Sequence, residues 1–132
     1  MDSSARQLVR ERAGHRCEYC RMPEQHSALR FHIDHILPRQ HSGTDAVDNL
    51  ALACPECNLR KGPNLTGIDP DTGILTRLFQ PRTDQWEQHF VRDGATISGL
   101  TPVGRTTAWL FEINSPDRLH WRRLLLDSNQ LD

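Results

Sequence analysis

Two cysteine pairs, each with two residues between the cysteines, constrain this sequence more than any other feature. They are Cys17-x-x-Cys20 and Cys54-x-x-Cys57, and together they contain all four cysteines of the chain. The N-terminus has no apolar run of the kind that directs export, so we expect a cytoplasmic protein with reduced thiols. Such paired motifs favour one tetrahedral zinc site over disulfides or a redox dithiol.

The charge composition limits the partners of the chain. Its 132 residues include 16 basic and 17 acidic ones, and Lys61 is the only lysine among the basic residues. This balance excludes a protein coated in positive charge, although a local arginine-rich patch can still serve a nucleic-acid partner. No segment approaches the ~18 consecutive apolar residues of a membrane span, so we expect no membrane association.

Residue periodicity predicts an α+β fold in which residues 1–65 form a ββα unit around the metal. The predicted elements of this unit are a helix over 4–13, strands over 29–35 and 49–53, and a helix over 55–60. An S-x-x-Q capping box at Ser4 favours the start of the first helix, and Gly14 favours its end. The two cysteine pairs lie where these elements meet, so a zinc ion bound by both pairs would hold the unit together.

The sequence predicts that residues 66–132 form a small α+β extension packed on this unit. The predicted elements are short strands over 74–79, 86–91 and 95–100, a helix over 106–113, and a last helix over 116–127. Ser115 and Pro116 are typical of the N-cap and first position of a helix. The last helix has two apolar stripes, so either it is buried on both sides or one stripe meets a second copy. A monomer and a homodimer both stay open.

Four polar residues between and beside the cysteine pairs are suited to hydrolytic chemistry. Asp34 and His35 end the first strand, Asn49 opens the second, and Asn58 follows the last cysteine. A neutral imidazole can take a proton from water near neutral pH. Carboxylate and amide oxygens are hard ligands that suit Mg²⁺ or Mn²⁺. Neighbouring strand residues point to opposite faces, but at a strand end both can approach one reaction centre.

The segment CEYC…HIDHILPRQHSGTDAVDNLALACPECNLRKG resembles the HNH endonuclease family in its four-cysteine form. The resemblance covers residues 17–62 and consists of several features in order. These are Cys-x-x-Cys, Asp-His followed by a proline, a glycine in the loop, Asn-Leu, Cys-x-x-Cys-Asn, and a lysine one turn later. The family's fold is the ββα-metal fold, whose two strands and loop would occupy the long gap between the cysteine pairs.

The resemblance implies a metal-dependent endonuclease that hydrolyses DNA phosphodiester bonds. It gives His35 the role of general base and Asp34 the role of ligand to the catalytic divalent ion. Asn49 would orient the loop and the catalytic histidine by hydrogen bonding. Asn58 stands at the third motif position, which is often histidine in the family, and would be an oxygen ligand. We expect Mg²⁺ as the catalytic ion, with Mn²⁺ or Ni²⁺ as alternatives, beside a structural Zn²⁺ held by the four cysteines.

The same resemblance predicts a DNA-binding surface on the helix after the second cysteine pair. Lys61 matches a phosphate-contacting residue of the family, and we expect Arg60 to contribute to the same surface. The arginines of the first helix are either a solvated face or a second DNA-backbone contact; they are Arg6, Arg10, Arg12 and Arg16. The alternative function is a zinc-stabilised nucleic-acid-binding module without catalytic activity.

Overall fold

The chain folds into short helices and two-stranded sheets, and its computed structural model describes residues 1–131. In chain order the elements are α1 (Ser3–Arg12), β1 (His32–His35), β2 (Leu50–Ala53), α2 (Pro55–Lys61), β3 (Thr66–Ile68), β4 (Leu75–Arg77), α3 (Trp86–His89), β5 (Phe90–Asp93), β6 (Thr96–Gly99), α4 (Pro102–Leu110) and α5 (Pro116–Asp127). This confirms the predicted α+β class. Within residues 1–131, no helix is both long enough and apolar enough to cross a membrane.

The contacts of the chain divide it into two compact units. The first unit contains residues 1–64 and 80–83, and the second contains residues 65–79 and the chain from residue 84 onward. The predicted packing of residues 66–132 on the first unit stays a prediction. Asp132, the last residue of that predicted extension, lies outside the described residues.

Helix α1 delivers the chain into the first cysteine pair, and its cap differs from the predicted one. Asp2 Oδ1 accepts a hydrogen bond from the backbone N–H of Ala5 at 2.8 Å. Ser4 Oγ donates to the same carboxylate oxygen at 2.8 Å. The predicted capping box is therefore wrong, because the aspartate before the helix satisfies the free N–H of the first turn. The helix ends at Arg12, one residue before the predicted end, and Gly14 takes its predicted place after the cap, in the left-handed region at φ +63°.

The antiparallel pair of β1 and β2 forms the centre of the first unit. All four residues of β2 are buried, and α1 and α2 pack against this strand. Strand β1 begins at His32, three residues later than predicted. The reason lies at Phe31, whose carbonyl accepts from Arg10 Nη2 at 2.8 Å and whose N–H donates to Glu24 Oε2 at 2.7 Å. Both backbone groups are used outside the sheet.

The second unit consists of the β3–β4 and β5–β6 hairpins with three helices. Strands β4 and β6 confirm two of the predicted strands, and β3 has no counterpart among the predictions. The strand predicted over 86–91 is wrong in its first half, because Trp86–His89 is a short helix and only the following residues extend. Helix α4 begins earlier than predicted, because Thr101 Oγ1 accepts from the Gly104 N–H at 3.0 Å and caps it.

Helix α5 has the predicted bounds but buries a different face. The face that packs inward holds two arginines and one leucine, namely Arg118, Arg122 and Leu125. Arg122 Nε donates to the carbonyl of Ala95 at 2.6 Å, and Arg118 Nη1 donates to that of Phe111 at 2.9 Å. One predicted stripe consists of Trp121, Leu124 and Leu125, and its first two residues are exposed. Guanidinium groups that satisfy backbone carbonyls thus take the place of apolar residues.

Candidate active site and metal centre

The four cysteines meet in one buried cluster of the first unit. Their sulfur atoms all lie within 4.8 Å of one another, and Cys20 Sγ lies 3.7 Å from Cys54 Sγ. A tetrahedral zinc ion with Zn–S bonds of about 2.3 Å requires sulfur atoms about 3.8 Å apart. In each pair, the backbone N–H of the second cysteine points to the sulfur of the first at 3.4 Å. No disulfide joins them, and the cluster fits a structural zinc site.

Four thiolates could exist in this buried cluster only if a cation balanced their charge. Burial raises the pKa of the Cys17 and Cys57 thiols well above their usual range. Thiolates packed this closely repel one another unless a cation compensates their charge. A zinc ion would supply that charge, and its four sulfur ligands would close the coordination shell and leave no position for substrate.

Asn49 holds the loop that follows the predicted catalytic histidine. Its Nδ2 donates to the carbonyls of Leu37 and Thr44 at 3.0 and 2.9 Å, and its Oδ1 accepts from the Leu37 N–H at 2.8 Å. The loop closes tightly, because a Cβ on Gly43 would lie 1.6 Å from the Leu37 carbonyl oxygen. Only glycine fits there. Asn49 therefore orients the backbone after His35 rather than bonding to the imidazole itself.

His35 is positioned by a carboxylate that the sequence did not reveal. Its side chain is partly exposed, and its Nε2 lies 2.8 Å from Asp45 Oδ1. Arg39 Nη2 donates to the same Asp45 oxygen at 2.8 Å. The hydrogen bond with His35, followed by that from Arg39, lowers the pKa of Asp45 to about 2. No spacing rule separates Asp45 from Asp48 in this turn-rich loop, so only the folded loop identifies it.

Asp34 lies on the other face of β1 and is bonded inside the protein. Its side chain is 6% exposed; Oδ2 accepts from the Tyr19 hydroxyl at 2.7 Å, and Oδ1 accepts from Lys61 Nζ at 3.3 Å. Burial raises the pKa of Asp34, and the charge of Lys61 and the Tyr19 hydroxyl act in the opposite direction. Lys61, 3% exposed, also donates to the His35 carbonyl at 3.0 Å. This placement does not support the phosphate contact expected of Lys61, which stays a prediction.

The burial of this ion pair predicts a large effect of Lys61 on stability. We expect Lys61→Ala to lower the free energy of unfolding by about 3–5 kcal/mol, because the Asp34 carboxylate would be left buried without its cation. Urea titrations of the zinc-loaded protein can follow the NMR signals of Tyr19, the only tyrosine of the chain. The matched control is Leu59→Ala, where the side chain is 70% exposed on the same helix, with an expected change below ~0.5 kcal/mol. Equal effects of the two substitutions would contradict the buried pair.

Asp34 and Asn58 offer oxygen donors that fit a hard divalent ion. Asn58 is half-buried on α2, directly after Cys57, so the cysteine cluster holds the helix that carries it. Each carboxylate oxygen has two lone pairs, so Asp34 keeps acceptor capacity beside Tyr19 and Lys61. Mg²⁺ is usually bound by one or two protein oxygens together with water and phosphate oxygens. The chemistry of these two donors suits such an ion, which would have to share the Asp34 carboxylate with the Lys61 ammonium group.

The arginines of α1 divide between internal bonds and the surface. Arg10 is buried against the Phe31 carbonyl, and Arg12 donates to the carbonyls of Val47 and Leu50 at 2.9 and 2.6 Å. These two guanidinium groups anchor α1 to the chain around the β1–β2 hairpin. Arg6 is exposed on the same helix and is the arginine of α1 that we expect to reach a phosphate backbone, whereas Arg16 lies beyond the end of α1 and is not part of this face.

The comparisons with known proteins found a family model that covers the residues of this site. Residues 17–64 match the family model of the HNH endonucleases, which confirms the resemblance and supports a nuclease-type function. A curated relative, the Septu protein PtuB of Bacillus thuringiensis, is 23% identical over 124 residues, which are 92% of this chain and 46% of that protein. The chain thus spans about half the length of that relative. No solved structure matches it.

Proposed function

We propose that this chain is a metal-dependent endonuclease that hydrolyses DNA phosphodiester bonds with His35 as the general base. The position of His35 carries the proposal. Its partly exposed imidazole lies at the end of β1, one residue after Asp34 and inside the segment that matches HNH endonucleases. A partly exposed histidine at a strand end is suited to contact a water molecule at the surface.

The proposed reaction transfers one proton to His35 while one bond to phosphorus forms and another breaks. The imidazole takes a proton from water, and the water oxygen bonds to phosphorus as the bond to the 3′ oxygen breaks. The products are a 5′-phosphate and a 3′ oxygen that takes its proton from solvent. Asp34 and Asn58 would hold the divalent ion, Mg²⁺ by preference, and that ion would supply positive charge to stabilise the phosphate and the leaving oxygen. Zinc has a structural role only.

The decisive experiment is cleavage of supercoiled plasmid DNA by zinc-loaded protein with Mg²⁺, Mn²⁺ or Ni²⁺. We expect relaxed or linear DNA to form with at least one of these ions. Because EDTA also competes for zinc, the control is desalted, zinc-loaded protein without any added ion, and it should leave the plasmid intact. A gel-shift assay on the same DNA measures binding separately. Binding without cleavage under all three ions would overturn the proposal in favour of the zinc-stabilised binding module.

The proposed DNA contact of Arg60 predicts a change in the salt dependence of binding. Each phosphate contact contributes about −0.9 to the slope of log K against log salt concentration. We expect Arg60→Ala to make that slope shallower by about this amount and to weaken binding equally for all DNA sequences. Arg123 is an exposed arginine on α5, and Arg123→Ala is the matched control. A slope unchanged by the loss of Arg60 would rule out its phosphate contact.

A further inference from the structure

We infer that Asp45 is a positioning residue that fixes the tautomer of His35 and assigns Nδ1 as the atom that accepts the proton. The expected effect on the reaction rate rests on the proposed function, whereas the geometry of the two side chains does not. It concerns a pair of side chains, His35 and Asp45, that the folded loop brings to 2.8 Å. Nothing in the motif of cysteines, histidine and asparagines requires this pair.

The proton between these side chains can be placed from their chemistry. With a pKa of about 2, the Asp45 carboxylate is ionised at neutral pH and can only accept hydrogen bonds. The Nε2 atom of His35, 2.8 Å away, must therefore carry the hydrogen. A neutral imidazole has a single N–H group, so its lone pair lies on Nδ1. A general base acts through that lone pair.

Arg39 supports the carboxylate in this arrangement. Its Nη2 donates to Asp45 Oδ1 at 2.8 Å, and its Nε lies 3.4 Å from His35 Nε2. Guanidinium nitrogens are donors only, so the longer contact with a protonated Nε2 cannot be a hydrogen bond. The Arg39 side chain instead binds the same Asp45 oxygen as the imidazole and balances the charge of the carboxylate.

The loop fixes Asp45 from the backbone as well. Asn49 Nδ2 bonds to the carbonyl of Thr44, the residue before Asp45, at 2.9 Å. The tight turn at Gly43 brings the same segment back to the Leu37 carbonyl. Because Asn49 and Gly43 set the backbone and Arg39 sets the carboxylate, Asp45 is held as part of an ordered site rather than by a chance surface contact.

The first test reads the tautomer directly and needs no activity. Zinc-loaded protein labelled with ¹⁵N-histidine, without DNA or Mg²⁺, is measured by NMR at about pH 8, where an ordinary imidazole is neutral. The chain has seven histidines, and His35→Gln identifies the signals of His35. We expect the Nε2–H form in the parent protein and a shift toward the Nδ1–H form in Asp45→Asn. Asp48→Asn, the same change at an exposed position of the same segment, should leave the tautomer unchanged.

The second test is kinetic and separates positioning from structure. We expect Asp45→Asn to lower kcat by ~10–100-fold, the size typical of losing a carboxylate that orients a functional histidine. The KM for plasmid DNA and the zinc content should not change, and Asp45→Glu should restore part of kcat because it restores the charged acceptor. Asp48→Asn should cut DNA at the parent rate.

Two results would overturn the inference. One is a parent protein whose His35 is found as the Nδ1–H tautomer, which can be observed even if every Asp45 variant fails to fold. The other is a kcat for Asp45→Asn equal to that of Asp48→Asn. If the parent protein cuts no DNA at all, the proposed function fails, and the NMR measurement still decides whether Asp45 sets the tautomer. The two failures are thus distinguishable.

Discussion

Replacing Cys54 with serine is expected to unfold the first unit rather than only to reduce activity. The apparent free energy of zinc binding in small four-ligand sites is about 10–16 kcal/mol. The net stability of a typical domain is only about 5–15 kcal/mol. Cys54 caps α2 and lies beside Cys20 in the cluster, so its loss removes a ligand and loosens the helix that carries Asn58. The same unfolding should follow when a strong chelator removes the ion.

The chain offers a clean way to measure this effect. Its only tyrosine, Tyr19, lies in the first unit, and its three tryptophans all lie in the second. Tyrosine NMR signals therefore follow the zinc-bearing unit, and tryptophan fluorescence follows the other one. The control is Leu59→Ser on the same helix, where the side chain is 70% exposed, and it should retain zinc and fold. A Cys54→Ser protein that is folded without zinc would refute the structural role of the ion.

His35→Ala is expected to slow DNA cleavage by ~10²–10⁴-fold, the usual contribution of a positioned general base. The imidazole lies outside the cysteine cluster and is partly exposed, so zinc content and melting temperature should stay close to those of the parent. Gel-shift assays should give an unchanged affinity for DNA. The measurement is the initial rate of plasmid cleavage at saturating Mg²⁺.

A matched substitution distinguishes the loss of a base from the loss of a metal ligand. Asn58→Ala removes a proposed ligand of the divalent ion, so a higher concentration of Mg²⁺ or Mn²⁺ should restore part of the rate. His35→Ala should gain nothing from added ion, because its missing function is proton transfer. Cleavage by His35→Ala at the parent rate would refute the proposed mechanism.

The sequence predicts those parts of the fold that depend on local rules. The spacing of the cysteines identifies a cluster that the folded chain assembles, and Pro116 begins α5 as predicted. These rules do not predict short elements with weak periodicity, such as the strand Thr66–Ile68 and the helix Trp86–His89. They also do not predict the inward face of α5, because its arginines bond to carbonyls that only the tertiary structure brings near.

In the candidate site, too, the sequence identifies some residues and not the long-range contacts they make. The motif identifies His35 as a candidate base from its neighbours in sequence. It does not identify Asp45 as the partner of His35, because that contact depends on how a tight loop closes. It also does not reveal that Lys61, the single lysine, is buried against Asp34, since a lysine on a short helix is usually solvated. Long-range contacts of this kind carry no periodic signal.

The two spacer residues of the first cysteine pair restrict how this domain could be engineered. Glu18 accepts a hydrogen bond from the Leu52 N–H at 2.8 Å and pairs with Arg82, while the hydroxyl of Tyr19 bonds to Asp34. In a zinc motif written as Cys-x-x-Cys, both positions are nominally free. Here a designer who grafts this motif from another protein would lose the side-chain bonds to the Leu52 N–H and to the Asp34 carboxylate while keeping every zinc ligand. A transplanted motif must therefore carry glutamate and tyrosine with its cysteines.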